Sequence, residues 1–421
     1  MRILLVNISF SYKFQSGINP VLFRTYEILK EQGHDVYIFS DDIRPFYDEN
    51  YKYTNYFCKA TPFLTKQNTI TDLKLIIKSI YNKEAEIKIS KLLKEIKPDL
   101  VHIHSTLDLS FSILKPIKEK KIPIIYTFHD MSLLCPASLY SKNTENCNLC
   151  KGYNLFSCIK KKCVNGKYLI SSIIAMKGIA ERYLGALKDI DLYLTVSDAS
   201  KNYAVNMNID ENKIKVLPNF INKEIMNNSI PDYSKNTKYF LYAGGSSKIK
   251  GIDTLLNTIK QLPENIEFHL AGIGNFKDIN DFIIRNKLKN IKIKGQLSFK
   301  ELQEEYKNCI AVIIPSEWFE TFGMINIEAA VYGKPSISSD MGGLPEVVEN
   351  NKTGLIFEAG NIESLKECIL KYWNNRDLVI EHGKNANEKV KKVYCEDRYF
   401  KELKKIYEDV LNNKQIIKTI D

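Results

Sequence analysis

No stretch of about 18 or more consecutive apolar residues occurs in this 421-residue chain, so no ordinary membrane-spanning helix is expected. The opening residues MRILLVNISF run straight into a strand-like pattern. No basic leader, apolar block and small-residue cleavage site precede it, so a signal peptide is not expected either and the reading is cytoplasmic. Internal repeats and low-complexity tracts are lacking, which gives no sign of a solenoid. The basic residues are not interleaved with aromatics and build no recognised module, so nucleic acid is not an expected partner.

The length exceeds what one ordinary core fills and suits two α/β domains of about 200 residues each. Strand-like runs alternate with helix-like ones throughout, which argues for parallel sheets with crossover helices. Charge is shared unevenly. Residues 1–220 carry 31 Lys and Arg against 22 Asp and Glu, a net of +9 out of the total of +10. Within them, residues 59–97 hold nine Lys against four acids, and TDLKLIIKSIYNKEAEIKISKLLKEIK places Leu73, Ile76, Ile77, Ile80, Ile87, Leu92 and Leu93 at helical spacing. Such a stripe in the 66–97 segment suits an anionic membrane surface, with attraction of roughly 1 kcal/mol per well-placed cation. An ordinary helix packed on a sheet with a solvated Lys face explains it as well.

Nine cysteines are distributed very unevenly. Cys135, Cys147, Cys150, Cys158 and Cys163 fall within 29 residues, whereas Cys58, Cys309, Cys368 and Cys395 read as small buried hydrophobes. In a cytoplasmic chain disulfides are disfavoured. Cys147, Cys150, Cys158 and Cys163 stand at spacings close to those of tetrahedral zinc sites, although the second pair is separated by four residues and not two. A structural zinc ion, free structural thiols and redox pairing all remain open. Four thiolates would leave such a metal no open position, so it would not be catalytic.

The most informative run is PSEWFETFGMINIEAAVYGKPSISSDMGG, residues 315–343, in which Glu320 and Glu328 stand eight positions apart. An apolar strand end enters a loop, Gly323 opens a helix, and the first backbone N–H groups, those of Met324, Ile325 and Asn326, are offered to an anion. If the stretch is mostly helical, the two carboxylates lie roughly 10–12 Å apart. That separation suits the two ends of a diphosphate-centred molecule such as a nucleotide-sugar.

This run resembles the signature of retaining glycosyltransferases of family 4, and the likeness extends along the chain through MRILLVN, PDLVHIHS (98–105), IPIIYTFHD (122–130), LYLTVSD (192–198), IKVLPNFIN (214–222) and YAGGSSKIKGIDTLL (242–256). The resemblance implies the GT-B architecture: two Rossmann-like domains with parallel sheets facing across a cleft, and a C-terminal helix that crosses back. The expected boundaries are 1–220 for the acceptor-side domain, with a Cys-rich insert at 135–163, then 238–395 for the nucleotide-sugar domain and 396–421 for the returning helix. By the same resemblance Glu320 meets the hexose hydroxyls, Glu328 the ribose, and His129 the transferred sugar and acceptor. A lone His at a strand end is more commonly a satisfied core residue, and that reading of His129 stays beside the other.

Two departures from the family pattern stand out. Gly17 matches the glycine that approaches the donor pyrophosphate, but without its usual second glycine. Lys250 matches the diphosphate-binding Lys, while Gly245 stands where an Arg is expected, so Lys248 or the N–H groups of Ser246 and Ser247 would have to substitute. The implied activity is transfer of a sugar, with retention, from a nucleotide-diphosphate sugar to a glycan or lipid-linked acceptor in surface polysaccharide assembly. No cofactor or catalytic metal is expected. No Asp-x-Asp triplet occupies a suitable loop, and no lysine sits in a pyridoxal-phosphate pattern, which counts against a phosphorylase. A nucleotide-sugar hydrolase or epimerase, or a non-catalytic scaffold that kept the fold, are the alternatives.

Overall fold

Runs such as LVHI (100–103) and IIYTF (124–128) are buried along their whole length, so they present no face to water and must be covered on both sides. Parallel strands under crossover helices meet that condition. The computed structural model describes residues 1–8, 19–41, 51–59, 73–106, 109–138, 147–164, 166–227 and 239–420. Its described residues form two compact units. One comprises Met1–Leu139 and Asn146–Leu217 with Tyr399–Asp421, and the other Pro218–Arg398.

The first unit holds β1 (Arg2–Val6), β2 (Asp35–Phe39), β3 (Leu100–Ile103), β4 (Ile124–Phe128), β5 (Leu192–Thr195) and β6 (Ile214–Val216) in the order β2-β1-β3-β4-β5-β6. Every pairing is parallel. The chain therefore winds one way from β1 to β2 and the other way from β3 onward, which puts the reversal between β1 and β3. The second unit repeats the plan with β7 (Tyr239–Ala243), β8 (Glu267–Ala271), β9 (Ile291–Gly295), β10 (Val312–Ile314), β11 (Ser336–Ser339) and β12 (Gly354–Phe357), ordered β12-β11-β10-β7-β8-β9. Its reversal lies between β7 and β10. Each unit is thus a doubly wound, Rossmann-like α/β sheet.

The last helix, Glu396–Ile420, brings the C-terminal residues into the first unit. Its Tyr407 hydroxyl is 2.7 Å from His102 Nδ1, and Lys215 pairs with Asp409 at 2.8 Å. The basic stripe divides into two helices of different burial. Residues 66–72 lie outside the described residues, and the rest forms two helices, Leu73–Ile80 and Lys83–Ile96, the second opened by Asn82, whose side chain accepts from the Ala85 N–H at 3.1 Å. The second helix turns Ala85, Ile89, Leu92, Leu93 and Ile96 into the core, while Ile87 faces solvent. Its apolar stripe is spent on packing, as in the ordinary reading of an amphipathic helix.

Candidate active site

In a doubly wound sheet the loops leaving the carboxyl ends of the two strands at the reversal diverge and leave a crevice between them. In the second unit these loops follow β7 and β10, and they carry most of the residues singled out in sequence. The backbone ties them together: the Glu317 N–H donates to Ile249 O at 2.9 Å, and Thr254 Oγ1 donates to Glu317 Oε1 at 2.6 Å. Gly251 has φ +72°, and a Cβ there would lie 1.6 Å from Pro315 O, so only glycine lets the loops approach this closely.

Within this frame Lys250 and Glu320 meet directly. Lys250 Nζ lies 2.6 Å from Glu320 Oε1 and 4.2 Å from the centroid of the Trp318 ring. Ser316 Oγ donates to the same Glu320 oxygen at 2.8 Å. From the far side, the backbone of Glu320 is held by Gly343, whose N–H donates to Glu320 O at 2.7 Å. The pair is only partly open to water, so its geometry is better defined than that of a surface ion pair. Ser316 and Trp318 were not assigned roles in sequence; the only signal for them was their place in the same PSEW run.

Glu320 sits in the loop, not on the helix. The helix Met324–Val331 begins after Gly323, which has φ 111°, so a carboxylate spacing taken from helical rise does not apply. The Asn326 N–H already donates to Gly323 O at 3.1 Å, which leaves Met324 and Ile325 as the backbone donors to consider at that end. Beside them the buried Asn326 side chain accepts from Ser338 Oγ at 2.9 Å, while its Nδ2 has no partner. A buried amide donor left unsatisfied at a helix N-terminus is what an acceptor-rich ligand would complete. At the other end of the helix, Asn387 Nδ2 donates to Ala330 O and Val331 O at 2.9 and 2.7 Å, so carbonyls with no intrahelical partner are satisfied there.

Glu328 lies on this helix, half-buried, and accepts from the Tyr306 hydroxyl at 2.8 Å. Burial raises its pKa above the usual carboxylate range, and the Tyr306 bond opposes that rise. Tyr306 is carried by the helix Phe299–Asn308, whose start is fixed by a reciprocal capping box between Ser298 and Glu301.

The remaining donor-side expectations fare unevenly. The Ser246 N–H is spent on Ile273 O at 3.1 Å and is not turned to a ligand. Lys248 is exposed and stands 3.7 Å from Asp253, apart from the Lys250 pair. Gly245 O accepts from the Tyr242 hydroxyl at 2.6 Å, and a Cβ on Gly245 would meet only Ile273 O at 3.7 Å, an ordinary contact. Gly17 lies outside the described residues.

In the first unit, His129 follows β4 and is half-buried, with Nε2 2.9 Å from Nδ1 of the buried His104 after β3. The His104 ring in turn lies against that of His102, tilted, with ring centroids 4.1 Å apart. Burial holds all three imidazoles neutral, with His104 pushed down to about 3. His104 Nε2 is buried without a partner, as is Thr195 Oγ1 at the end of β5. Sequence reading picked out His129 but not the imidazole that orients it; the HIH of β3 was the available signal.

Cys147, Cys150, Cys158 and Cys163 of the insert form no disulfide. Burial raises Cys150, Cys158 and Cys163 above the ordinary thiol range, Cys158 to about 12, so the thiolate form is disfavoured in all three. Among the described residues no group of three or more His, Cys, Asp or Glu side chains is disposed to hold a metal ion, so the geometry lends the zinc expectation no support.

Two doubly wound units, each with polar groups gathered at strand ends, define a protein of the GT-B class. Residues 15–225 match the family described as Glycosyltransferase Family 4, and residues 227–392 match the one described as Glycosyl transferases group 1. The chain belongs to Glycosyltransferase Family 4. An uncharacterised glycosyltransferase of Methanocaldococcus jannaschii is 29% identical over 358 residues, spanning 80% of this chain and 99% of that protein. The capsular polysaccharide biosynthesis glycosyltransferase CapM of Staphylococcus aureus is 25% identical over 244 residues, 53% of this chain and 62% of CapM. The crystal structure of Anabaena HepE in complex with UDP and glucose matches with a TM-score of 0.65 at 17% identity, covering 97% of this chain and 99% of that one. At that identity the structural likeness speaks for the fold alone.

Proposed function

We propose that the chain transfers a hexosyl group from a nucleotide-diphosphate sugar to a glycan or lipid-linked acceptor, with retention of configuration, in the assembly of cell-surface polysaccharide. The observation that carries the reading is the Lys250–Glu320 pair, set beside the N-terminus of the Met324–Val331 helix at the strand reversal. As the leaving diphosphate gains charge, Lys250, the Met324 and Ile325 amides and the Asn326 side chain stabilise it. Glu320 fixes the ammonium and meets sugar hydroxyls, while Glu328, when ionised, accepts from the ribose. The acceptor hydroxyl attacks from the face the diphosphate leaves, and its proton passes to the departing phosphate. His129, oriented by His104, is the acceptor-side group in this scheme. Countercharge comes from the protein, so the proposed transfer is metal-independent.

The polysaccharide setting draws on CapM, and the nucleotide on the UDP bound by HepE. Among the described residues no helix is long and apolar enough to cross a membrane. The location we propose is cytoplasmic, peripheral at the inner face of the cell membrane.

A panel of nucleotide-sugars with mass spectrometry of the products tests the scheme. Glu320→Gln is expected to lower turnover by roughly a hundredfold while nucleotide diphosphate still binds. Free sugar released without acceptor would favour a hydrolase, and no saturable nucleotide binding would favour a scaffold. Parental turnover in Glu320→Gln would remove the role assigned to it.

A further inference from the structure

Among the described residues, a cluster of exposed apolar side chains lies on the insert and the helix after it. The helix Tyr168–Glu181 buries Ser171, Ile174, Ala175, Lys177 and Glu181 on one face. Its opposite face continues into the next turn as Leu169, Ile173, Met176, Ala180 and Tyr183, a stripe at alternating spacings of four and three. That is the repeat of a helix face meant to be covered. Yet Leu169, Met176 and Tyr183 are 63, 59 and 76% exposed, and Phe156 on the preceding short helix is 71% exposed. Tyr153 packs on Tyr183 with centroids 4.8 Å apart, which extends the apolar surface sideways.

The charge along this stretch of the chain has one sign. From Cys147 to Ala180 the sequence contains six lysines and no carboxylate. Lys160, Lys161, Lys162 and Lys167 are exposed at the start of the stripe, and Lys162 Nζ sits 4.3 Å from the Tyr168 ring centroid. The charged groups of the buried face are bonded internally: Lys177 pairs with Glu181, and Arg182 donates to the carbonyls of Cys150, Gly152 and Leu134. What remains outward is apolar and aromatic surface rimmed by cations.

We propose that this face, Phe156 and Leu169 to Tyr183 with the Lys160–Lys162 cluster, is a docking surface for an anionic phospholipid bilayer. Aromatic and aliphatic side chains enter the headgroup boundary while the lysines meet lipid phosphates, a combination that a neutral protein partner would not call for. The helix Lys83–Ile96, whose apolar face is buried, is not part of it. The inference does not depend on the donor chemistry, so vesicle binding and transferase activity can fail separately.

Co-sedimentation of the full chain with vesicles of phosphatidylglycerol mixed with phosphatidylcholine, against phosphatidylcholine alone, provides the test. Binding to the anionic vesicles is expected to be at least roughly tenfold stronger and to weaken with salt. The combined Lys160→Gln, Lys161→Gln, Lys162→Gln variant and the combined Phe156→Ser, Met176→Ser variant should each lose roughly tenfold in vesicle binding, with unchanged thermal melts. The combined Lys91→Gln, Lys94→Gln variant should bind as the parent does. Equal or absent binding to the two vesicle types would overturn the proposal, as would loss of binding only in the Lys91, Lys94 variant. So would self-association of the parent that Phe156→Ser, Met176→Ser abolishes, which would assign the face to a second copy of the chain.

Discussion

Removing one hydroxyl should move the pH at which the proposed donor site fails. Tyr306 is buried and its ring stacks on Tyr332 with centroids 6.1 Å apart, so Tyr306→Phe keeps the packing and deletes only the 2.8 Å bond to Glu328. Burial already raises the Glu328 pKa, and this bond is the opposing influence. A hydrogen bond to a charged acceptor is worth about 1.5–3 kcal/mol and one pH unit corresponds to about 1.4 kcal/mol, so its loss should raise the Glu328 pKa by about one to two pH units. The sign follows from the role: the carboxylate must be ionised to accept from a ribose hydroxyl, so affinity falls as pH drops through that pKa. Titration calorimetry with UDP and other nucleoside diphosphates, run across pH, should show the midpoint of this loss higher in Tyr306→Phe than in the parent. In Glu328→Gln the acid-limb dependence should vanish along with much of the affinity. An unchanged midpoint in Tyr306→Phe, or the parental pH profile in Glu328→Gln, would refute the assignment of Glu328 to the nucleotide.

Gly245 offers a gain-of-binding experiment. Its φ is not in the left-handed region and a Cβ there meets only Ile273 O at 3.7 Å, so Gly245→Arg should fold as the parent does and supply the guanidinium the family pattern expects. Nucleoside diphosphate affinity should rise by roughly tenfold, read by the same calorimetry; a destabilised protein or weaker binding would count against the placement of this loop. The three neutral imidazoles make an acid-stability prediction. Their pKa values are depressed in the folded state, so their contribution is fully present above the unfolded value near 6.5 and is lost as pH falls below it. Between about pH 7.5 and 5.5 each should cost about 1.4 kcal/mol, or roughly 4 kcal/mol for the three. Urea unfolding at the two pH values measures this, and His104→Gln should reduce the difference by about 1.4 kcal/mol; an undiminished difference would show that His104 titrates alike in both states.

The fold was readable because parallel strands buried on both faces leave uninterrupted apolar runs, and the runs around Leu4, Val101, Ile125 and Leu241 each became a strand. Glu320, Glu328 and Lys250 were readable because a loop-to-helix transition at glycine is a local feature of the chain. What sequence hid was pairing across elements. Nothing local tells that Tyr306, more than 20 positions before Glu328, turns its hydroxyl to it, or that Lys250 finds Glu320 at a distance of 70 residues. Amphipathic periodicity in Lys83–Ile96 marks a helix face that will be covered without naming the cover. There the cover is the protein's own core.

The insert illustrates the same limit from the other direction. Cysteine spacing drew attention to thiols, but the group that ties this segment together is Arg182, almost wholly buried, whose guanidinium reaches Cys150 O at 3.1 Å and Leu134 O at 2.7 Å as well as Gly152 O. A fixed planar cation satisfying carbonyls from two separate loop segments can order them without a metal, because each charge-assisted bond in a buried setting is stronger than its exposed counterpart. Burial depresses the Arg182 pKa only from a value far above neutrality, so the cation persists at neutral pH. In the same segment burial raises the pKa of Cys150, Cys158 and Cys163. Its outer face is then free to keep Phe156 and the lysines exposed, and that links the bracing of the insert to the lipid-facing role proposed for it.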